Sequence, residues 1–269
     1  FNHMTGLNQK IGNFPGITVE KKTGLSVLPN GSSIEIIDLP GIYSIYPRSL
    51  DEKIEAEVLL DHHSSATPDK IIVIVDGTNL KRGFLLLTQI IDLGLPTILA
   101  LNMMDLAAKA GISYDFNALS KELGIPVVPI NARNGVGLEE LKRQISLPLE
   151  PPKKIVFNIW KEAEAAVKEL RSKLGIDNDY EAYQFLEQPN SLKFLGADKQ
   201  QIVSRIRSDY DFFPGMFQGA ETIQRYGFIQ DLLNRITLKA SDNSWKKNSA
   251  RLDKILLHKV WGYLIFFAL

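Results

Sequence analysis

The run Ile71-Ile72-Val73-Ile74-Val75-Asp76 constrains this chain more than any other stretch. Five apolar, β-branched residues in a row leave no polar face, so the strand they form must be covered on both sides. Sheets covered in that way are parallel, because a parallel crossover needs a helix-length connection that packs back onto the sheet. The pattern repeats downstream. Thr97-Ile98-Leu99-Ala100-Leu101 is a second apolar strand, and Val127-Val128-Pro129-Ile130 is a third. Between and after them, 80–93 has helical spacing closed by Gly94 and Pro96, 115–123 stops at Gly124, and 137–146 follows the third strand. The alternation predicts an α/β fold with a mostly parallel sheet and flanking helices.

The carboxyl ends of strands are where such sheets bind ligands. An earlier β-branched run, Ile34 to Ile37, leads into Asp38-Leu39-Pro40-Gly41. A carboxylate there reaches Mg²⁺ directly or through water, and a glycine lets a backbone N–H approach a phosphate oxygen. Taken alone, D-x-x-G also describes an ordinary turn. The second apolar strand runs into Asn102-Met103-Met104-Asp105 and the third into Asn131-Ala132-Arg133. In that order these two loops resemble the guanine-recognition loops of P-loop GTPases. The Asp105 carboxylate would accept from the ring N–H and the exocyclic amine of guanine, a pair of donors that adenine lacks. A backbone N–H near Ala132 would complement the guanine carbonyl, and Asn102 would brace the two loops.

The rest of the chain is read around these strands. Residues 1–6 have the look of a last helical turn closed by Gly6, and a Gly-, Asn- and Pro-containing loop runs from there to Thr18. Segments 18–28 and 33–38 predict an antiparallel hairpin across Pro29-Asn30-Gly31-Ser32. A helix over 50–63 follows, broken by Pro68; the adjacent His62 and His63 cannot face one ligand together on it. Pro148, Pro151 and Pro152 mark a boundary, so 1–147 is expected as one domain and 153–240 as a small all-helical one. Its apolar stripes are Trp160, Ala163, Val167, Leu170 and Leu174; Ile202, Val203 and Ile206; and Ile223, Tyr226, Ile229, Leu233 and Ile236. Residues 252–269 carry no charge after Lys259, with basic residues upstream and Trp261 and Tyr263 at the start of the apolar run. That pattern predicts the start of a transmembrane helix, which needs about 20 residues to span.

Composition narrows the classes. With 31 Lys and Arg against 31 Asp and Glu, the net charge is zero, which argues against a nucleic-acid-coating role. There is no cysteine, so disulfides and thiolate metal sites are excluded.

With these residues in view, the chain resembles the cytosolic N-terminal region of FeoB, the bacterial ferrous iron transporter family, over nearly its whole length. The resemblance rests on Thr5-Gly6-Leu7-Asn8-Gln9-Lys10, on Gly12-Asn13-Phe14-Pro15-Gly16-Ile17-Thr18-Val19-Glu20-Lys21, on Asp38-Leu39-Pro40-Gly41-Ile42-Tyr43-Ser44, on Asn102-Met103-Met104-Asp105 and on Arg225-Tyr226-x-x-Ile229. It implies a GTPase domain, a helical domain, and a membrane domain of which only the beginning is in this chain. Position by position, Thr18, preceded by Gly16, matches the first-switch threonine that meets Mg²⁺ and the γ-phosphate. Asp38 and Gly41 match the second-switch pair, Asn102, Met103 and Asp105 the base-selecting loop, and Asn131 and Ala132 the loop at the guanine oxygen. Met103 stands where many GTPases carry Lys, and its apolar stem can cover the base face. Ile42 stands where Ras-like GTPases carry the water-orienting Gln, so catalysis is left to backbone groups, Mg²⁺ or a monovalent cation such as K⁺.

The loop G-x-x-x-x-G-K-[ST] is not among the 269 residues; the resemblance places it, with the first strand, upstream of Phe1, and the fragment alone is expected to be inactive. The implied cofactors are GTP or GDP and Mg²⁺, with K⁺ a candidate. The implied partners are a guanine nucleotide, Fe²⁺ through the membrane domain, and the bacterial plasma membrane with 1–259 on its cytoplasmic side. Nucleic acid is not expected, and homo-oligomerisation stays open. Two other readings compete: an Era- or TrmE-like GTPase with a ribosome or RNA role, and a degenerate nucleotide-free regulatory module.

Overall fold

The computed structural model describes residues 1–6, 9–13, 20–39, 41–47, 50–61, 67–189, 192 and 194–238. Gly16, Thr18, His62, His63 and the whole of 252–269 lie outside the described residues. Among the described residues no helix is long and apolar enough to cross a membrane.

The short helix α1 (Asn2–Thr5) ends at Gly6, whose left-handed φ of 60° closes the turn. Strands β1 (Gln9–Asn13), β2 (Glu20–Val27) and β3 (Ser33–Asp38) form an antiparallel sheet in that order, with Gly24 opposite both Gln9 and Ile36. The β2–β3 hairpin follows the sequence pattern, whereas β1 stands where the Gly, Asn and Pro content predicts loop. Its pairing is a backbone ladder at the edge of the sheet, which needs no apolar pattern in the sequence.

After α2 (Leu50–Leu60), the second sheet is parallel: β4 (Ile71–Asp76), β5 (Thr97–Asn102) and β7 (Val127–Pro129), with β5 in the centre. Its crossovers carry α3 (Leu80–Asp92) and α5 (Phe116–Leu123), and α6 (Leu138–Ser146) follows. Leu99 and Leu101 face one core with Phe84, Leu87 and Ile91 of α3, while Ile98 and Ala100 face another with Leu138, Leu141 and Ile145 of α6. Both faces of β5 are thus covered, which is why the strand reads as an unbroken apolar run. β3 and β4 each end their ladder unpaired among the described strands. Ile34 and Ile36 of β3 nonetheless pack on the same core as Ile72 of β4, while Ile74 stays 60 % exposed.

Two short elements were not anticipated: α4 (Met104–Lys109) and β6 (Ser113–Tyr114). Downstream, α7 (Lys161–Leu174), α8 (Asp179–Glu187), α9 (Ala197–Asp209) and α10 (Gln218–Ile236) share one continuous apolar core with α3. The strand β8 (Thr237–Leu238) returns to pair with β6. Ala163, Val167, Leu170, Val203 and Ile206 are buried as their spacing predicted. Trp160 precedes α7 and is 39 % exposed, and Ile223 is 76 % exposed. The buried face of α10 is instead Glu221, Arg225, Ile229, Leu232 and Ile236. Its charged members hid it from a reading that looked only for apolar residues.

Gly137, the N-cap of α6, has φ 81°, and a Cβ there would stand 2.3 Å from the Pro129 carbonyl oxygen. Gly137→Ala is therefore expected to destabilise the fold by about 1–3 kcal/mol, since neither the left-handed backbone nor the contact can be relieved locally. Urea unfolding checks this, and a midpoint equal to that of the unsubstituted chain would refute it.

Candidate functional site

The parallel register sets the ends of β4, β5 and β7 side by side, with Asp76 opposite Asn102 and Leu101 opposite Pro129. From these ends the loops close on one another. Gly77 N–H donates to the Asn102 carbonyl at 2.7 Å, and Ile130 N–H to the Leu101 carbonyl at 2.7 Å. Asn131 N–H donates to the Val136 carbonyl at 2.9 Å, making 131–136 a tight loop closed on itself.

The side chain of Asn102 joins the two loops: its Oδ1 accepts from Ala132 N–H at 3.0 Å. Asn131 caps its own loop, with Oδ1 accepting from Arg133 N–H at 3.1 Å and from Asn134 N–H at 3.2 Å. The N–H groups of 132, 133 and 134 are thus all engaged by two asparagine side chains. A guanine carbonyl arriving at Ala132 would share that donor with Asn102 or displace it, a point that residue types alone do not reveal.

Met103 takes a left-handed φ of 60°, an uncommon conformation for a residue with a Cβ. The reversal starts α4 and sets Asp105 in its first turn, exposed, where the helix dipole favours a carboxylate. Met103 itself is 42 % exposed, beside the loop rather than in the core. Asn102, Met103, Asp105, Asn131 and Ala132 therefore lie together at the carboxyl end of the parallel sheet, after β5 and β7. Asp38 ends β3 on the other sheet, exposed, and Gly41 beyond it is exposed with open space where a Cβ would stand. The pattern missed the groups that support this end of the parallel sheet. Asp76 Oδ1 accepts from both the N–H and the hydroxyl of Thr78 at 2.8 Å. The Tyr114 hydroxyl donates to the Gly77 carbonyl at 2.9 Å, tying β6 under the first loop.

A second polar assembly lies deep in the molecule. Arg225 of α10 sits 2.6 Å from Asp92 of α3 and 2.7 Å from Glu221, and all three side chains are almost fully buried. Asp92 also accepts from the N–H groups of Val156 and Phe157, at 2.6 and 3.0 Å. Glu221 accepts from the hydroxyls of Tyr180, at 2.5 Å, and of Tyr46, five residues past Gly41. The Arg225 guanidinium faces the Tyr180 ring, 4.7 Å from its centroid. Burial pushes the Asp92 carboxyl above its usual range, against the pull of Arg225 and the two backbone donors. Burial alone would lower Arg225, yet Tyr180, Glu221 and Asp92 around it hold it above its ordinary value. A sequence signal existed: Glu221 and Arg225 lie one turn apart on the same face as Ile229 and Ile236.

Comparisons agree with this architecture. Residues 1–145 match the profile of the family described as ferrous iron transport protein B. The Fe(2+) transporter FeoB of Leptospira biflexa is 36 % identical over 285 residues, covering 100 % of this chain but 40 % of that protein. Its Legionella pneumophila counterpart is 33 % identical over all of this chain and 36 % of its own length. The structure of the cytosolic domain of L. pneumophila FeoB superposes with a TM-score of 0.71 at 31 % identity, covering 88 % of this chain and 93 % of that one. The T. maritima FeoB cytosolic domain in its GMPPNP form gives 0.66 at 27 % identity, with 88 % and 92 % covered. This chain, which spans about 40 % of the length of such curated relatives, belongs to the ferrous iron transport protein B family.

Proposed function

We propose that this chain is the GTP-binding and hydrolysing regulatory part of a bacterial Fe²⁺ transporter, with 1–147 as its GTPase domain, 153–240 as a helical domain and 252–269 as the start of a membrane span. The observation that carries the reading is the Asn102–Ala132 hydrogen bond, which joins two strand-end loops next to an exposed Asp105. A base held there would meet the Asp105 carboxylate on one side and the 132 loop on the other, with Met103 available to its face. Asn131 keeps that loop in shape. Related structures include GMPPNP and GDP forms of the T. maritima FeoB cytosolic domain and a GDP-bound S. thermophilus FeoB, which supports a guanine nucleotide here. The Era- or TrmE-like reading loses ground because the relatives given above are FeoB proteins matched along this entire chain.

Phosphates and metal belong to the other half of the site. Asp38, Gly41 and, by resemblance, Gly16 and Thr18 would face them. Among the described residues no cluster of three or more His, Asp or Glu could hold a metal. Mg²⁺ typically takes one or two protein oxygens and fills its shell with phosphate and water, so Asp38 and Thr18 would be enough to hold it. Once bound, the ion would neutralise charge on the phosphates. K⁺ remains a candidate for the role that Ile42 cannot fill. The unpaired edges of β3 and β4 are where the strand that the resemblance places upstream of Phe1 would pair.

In the natural full-length protein, GTP is expected to bind with Mg²⁺ and to turn over slowly, faster in potassium than in sodium. The 269 residues alone should bind GTP weakly or not at all, lacking the N–H cradle for the phosphates. Calorimetric titration of both and a turnover assay in each salt decide this. Tight binding by the 269 residues would overturn the placement of the phosphate loop, and equal rates in the two salts would remove the potassium role.

A further inference from the structure

Besides Ile42, half-buried against the main core, the segment after Gly41 is held by three contacts that differ greatly in depth. At its far end Tyr46, 8 % exposed, donates to buried Glu221 and accepts from Gln184 at 3.1 Å. One residue earlier, the N–H of fully buried Ile45 donates to the Gln89 side chain of α3 at 3.0 Å. At its near end the exposed Tyr43 ring carries the Arg82 guanidinium, also from α3, with Cζ 3.8 Å above the centroid. Arg82 and Gln89 are seven residues apart, two helical turns along one face, so α3 splints the segment. The deep anchors cannot move without uncovering buried polar groups. The near one can.

We propose that the Arg82–Tyr43 stack is the releasable latch that positions the second-switch loop, with Arg82 a positioning residue for hydrolysis. The proposal rests on the reading of Asp38 and Gly41 as the γ-phosphate side of the site. Two residues of extended chain reach about 7 Å, so wherever the backbone of Tyr43 is held, that of Gly41 stays within about that distance. Among the described residues nothing lies within 4 Å of where a Cβ on Gly41 would stand, so Gly41 is placed through its neighbours in the chain: half-buried Ile42 against the main core, then Tyr43. Ile42 has no group with which to orient water, so the backbone's own placement is what the loop contributes. A guanidinium over an aromatic face is a contact strong enough to bias such a loop and weak enough, at an exposed position, to be broken in each cycle.

Two measurements test this. Backbone NMR relaxation on the 269-residue chain needs no turnover. Arg82→Ala is expected to lower the order parameters of the amides of 41–43 toward the flexible range, below about 0.6, while the Ile45 amide, which is bonded to Gln89, keeps its own. In the natural full-length protein, Arg82→Ala and Tyr43→Leu should each lower kcat for GTP about 2- to 5-fold with KM unchanged. The double variant should lose no more than either alone, and Tyr43→Phe, which keeps the ring face, should retain the full rate. Unchanged order parameters at 41–43, additive losses in kcat, or loss of rate in Tyr43→Phe would overturn the latch. Greater mobility at 41–43 together with an unchanged kcat in the natural full-length protein would leave the latch standing and sink the γ-phosphate reading, and with it Arg82's part in hydrolysis.

Discussion

Arg225→Ala is expected to cost the folded chain about 3–5 kcal/mol, because it strands two buried carboxylates that now share one guanidinium. Asp92 and Glu221 would be left in a site from which water is excluded, with Tyr180, Tyr46 and two backbone N–H groups as their remaining partners. Neutral donors soften a buried charge; they do not replace a countercharge. Against a total stability of about 5–15 kcal/mol, such a loss is a large fraction and should show as a clearly lowered urea midpoint. Arg225→Lys should recover only part of it, since an ammonium cannot reproduce the fork that meets both carboxylates.

The pH dependence distinguishes this from simple loss of packing. Burial already pushes Asp92 upward, and Arg225 is what restrains it. Without the guanidinium, the folded-state pKa of Asp92 rises further above its unfolded value. The folded variant then binds a proton more tightly than the unfolded chain does. Its stability is therefore highest at pH below the unfolded carboxylate value and falls as pH rises through the folded one. The gap between variant and parent should narrow on acidification. Urea unfolding at several pH values reads this directly; a deficit below about 1 kcal/mol, or one independent of pH, would mean the network is not held together by its charges.

The buried network also shows where sequence reading stops. β5 was legible because both its faces are buried and every residue of Thr97 to Leu101 had to be compatible with a core. The stop at Gly124 was legible because a left-handed φ of 71° favours glycine. Arg225 was visible as part of a family pattern, but its role was not, because an arginine's usual place is the surface and only the fold supplies Asp92 from a helix 133 positions earlier. Gln9–Asn13 escaped for a related reason: its partner residues are given by the ladder, not by its own composition. Strand-end positions singled out Asn102, Asp105 and Ala132 as candidates. The engagement of the Ala132 N–H by Asn102 is a tertiary contact across 30 positions, and no spacing rule contains it.

Asp105→Asn should exchange the base that the protein prefers. In the proposed site the Asp105 carboxylate accepts from the guanine ring N–H and exocyclic amine. Its place in the first turn of α4, after the left-handed Met103, leaves it exposed at the strand end. An asparagine amide puts a donor where one of those two acceptors stood. Donor against donor leaves both unpaired, at about 1–3 kcal/mol for each unsatisfied group. GTP affinity in the natural full-length protein should fall on the order of 10²-fold or more, at roughly 1.4 kcal/mol per decade. Xanthine presents a carbonyl in place of the amine, so xanthosine triphosphate should bind the variant better than it binds the parent. Damage to α4 or to the Asn102–Ala132 bridge would weaken both nucleotides together and could not invert their order. Titrating both nucleotides against both proteins separates the cases. Parallel losses would place the base elsewhere and leave Asp105 as a helix-end carboxylate of α4.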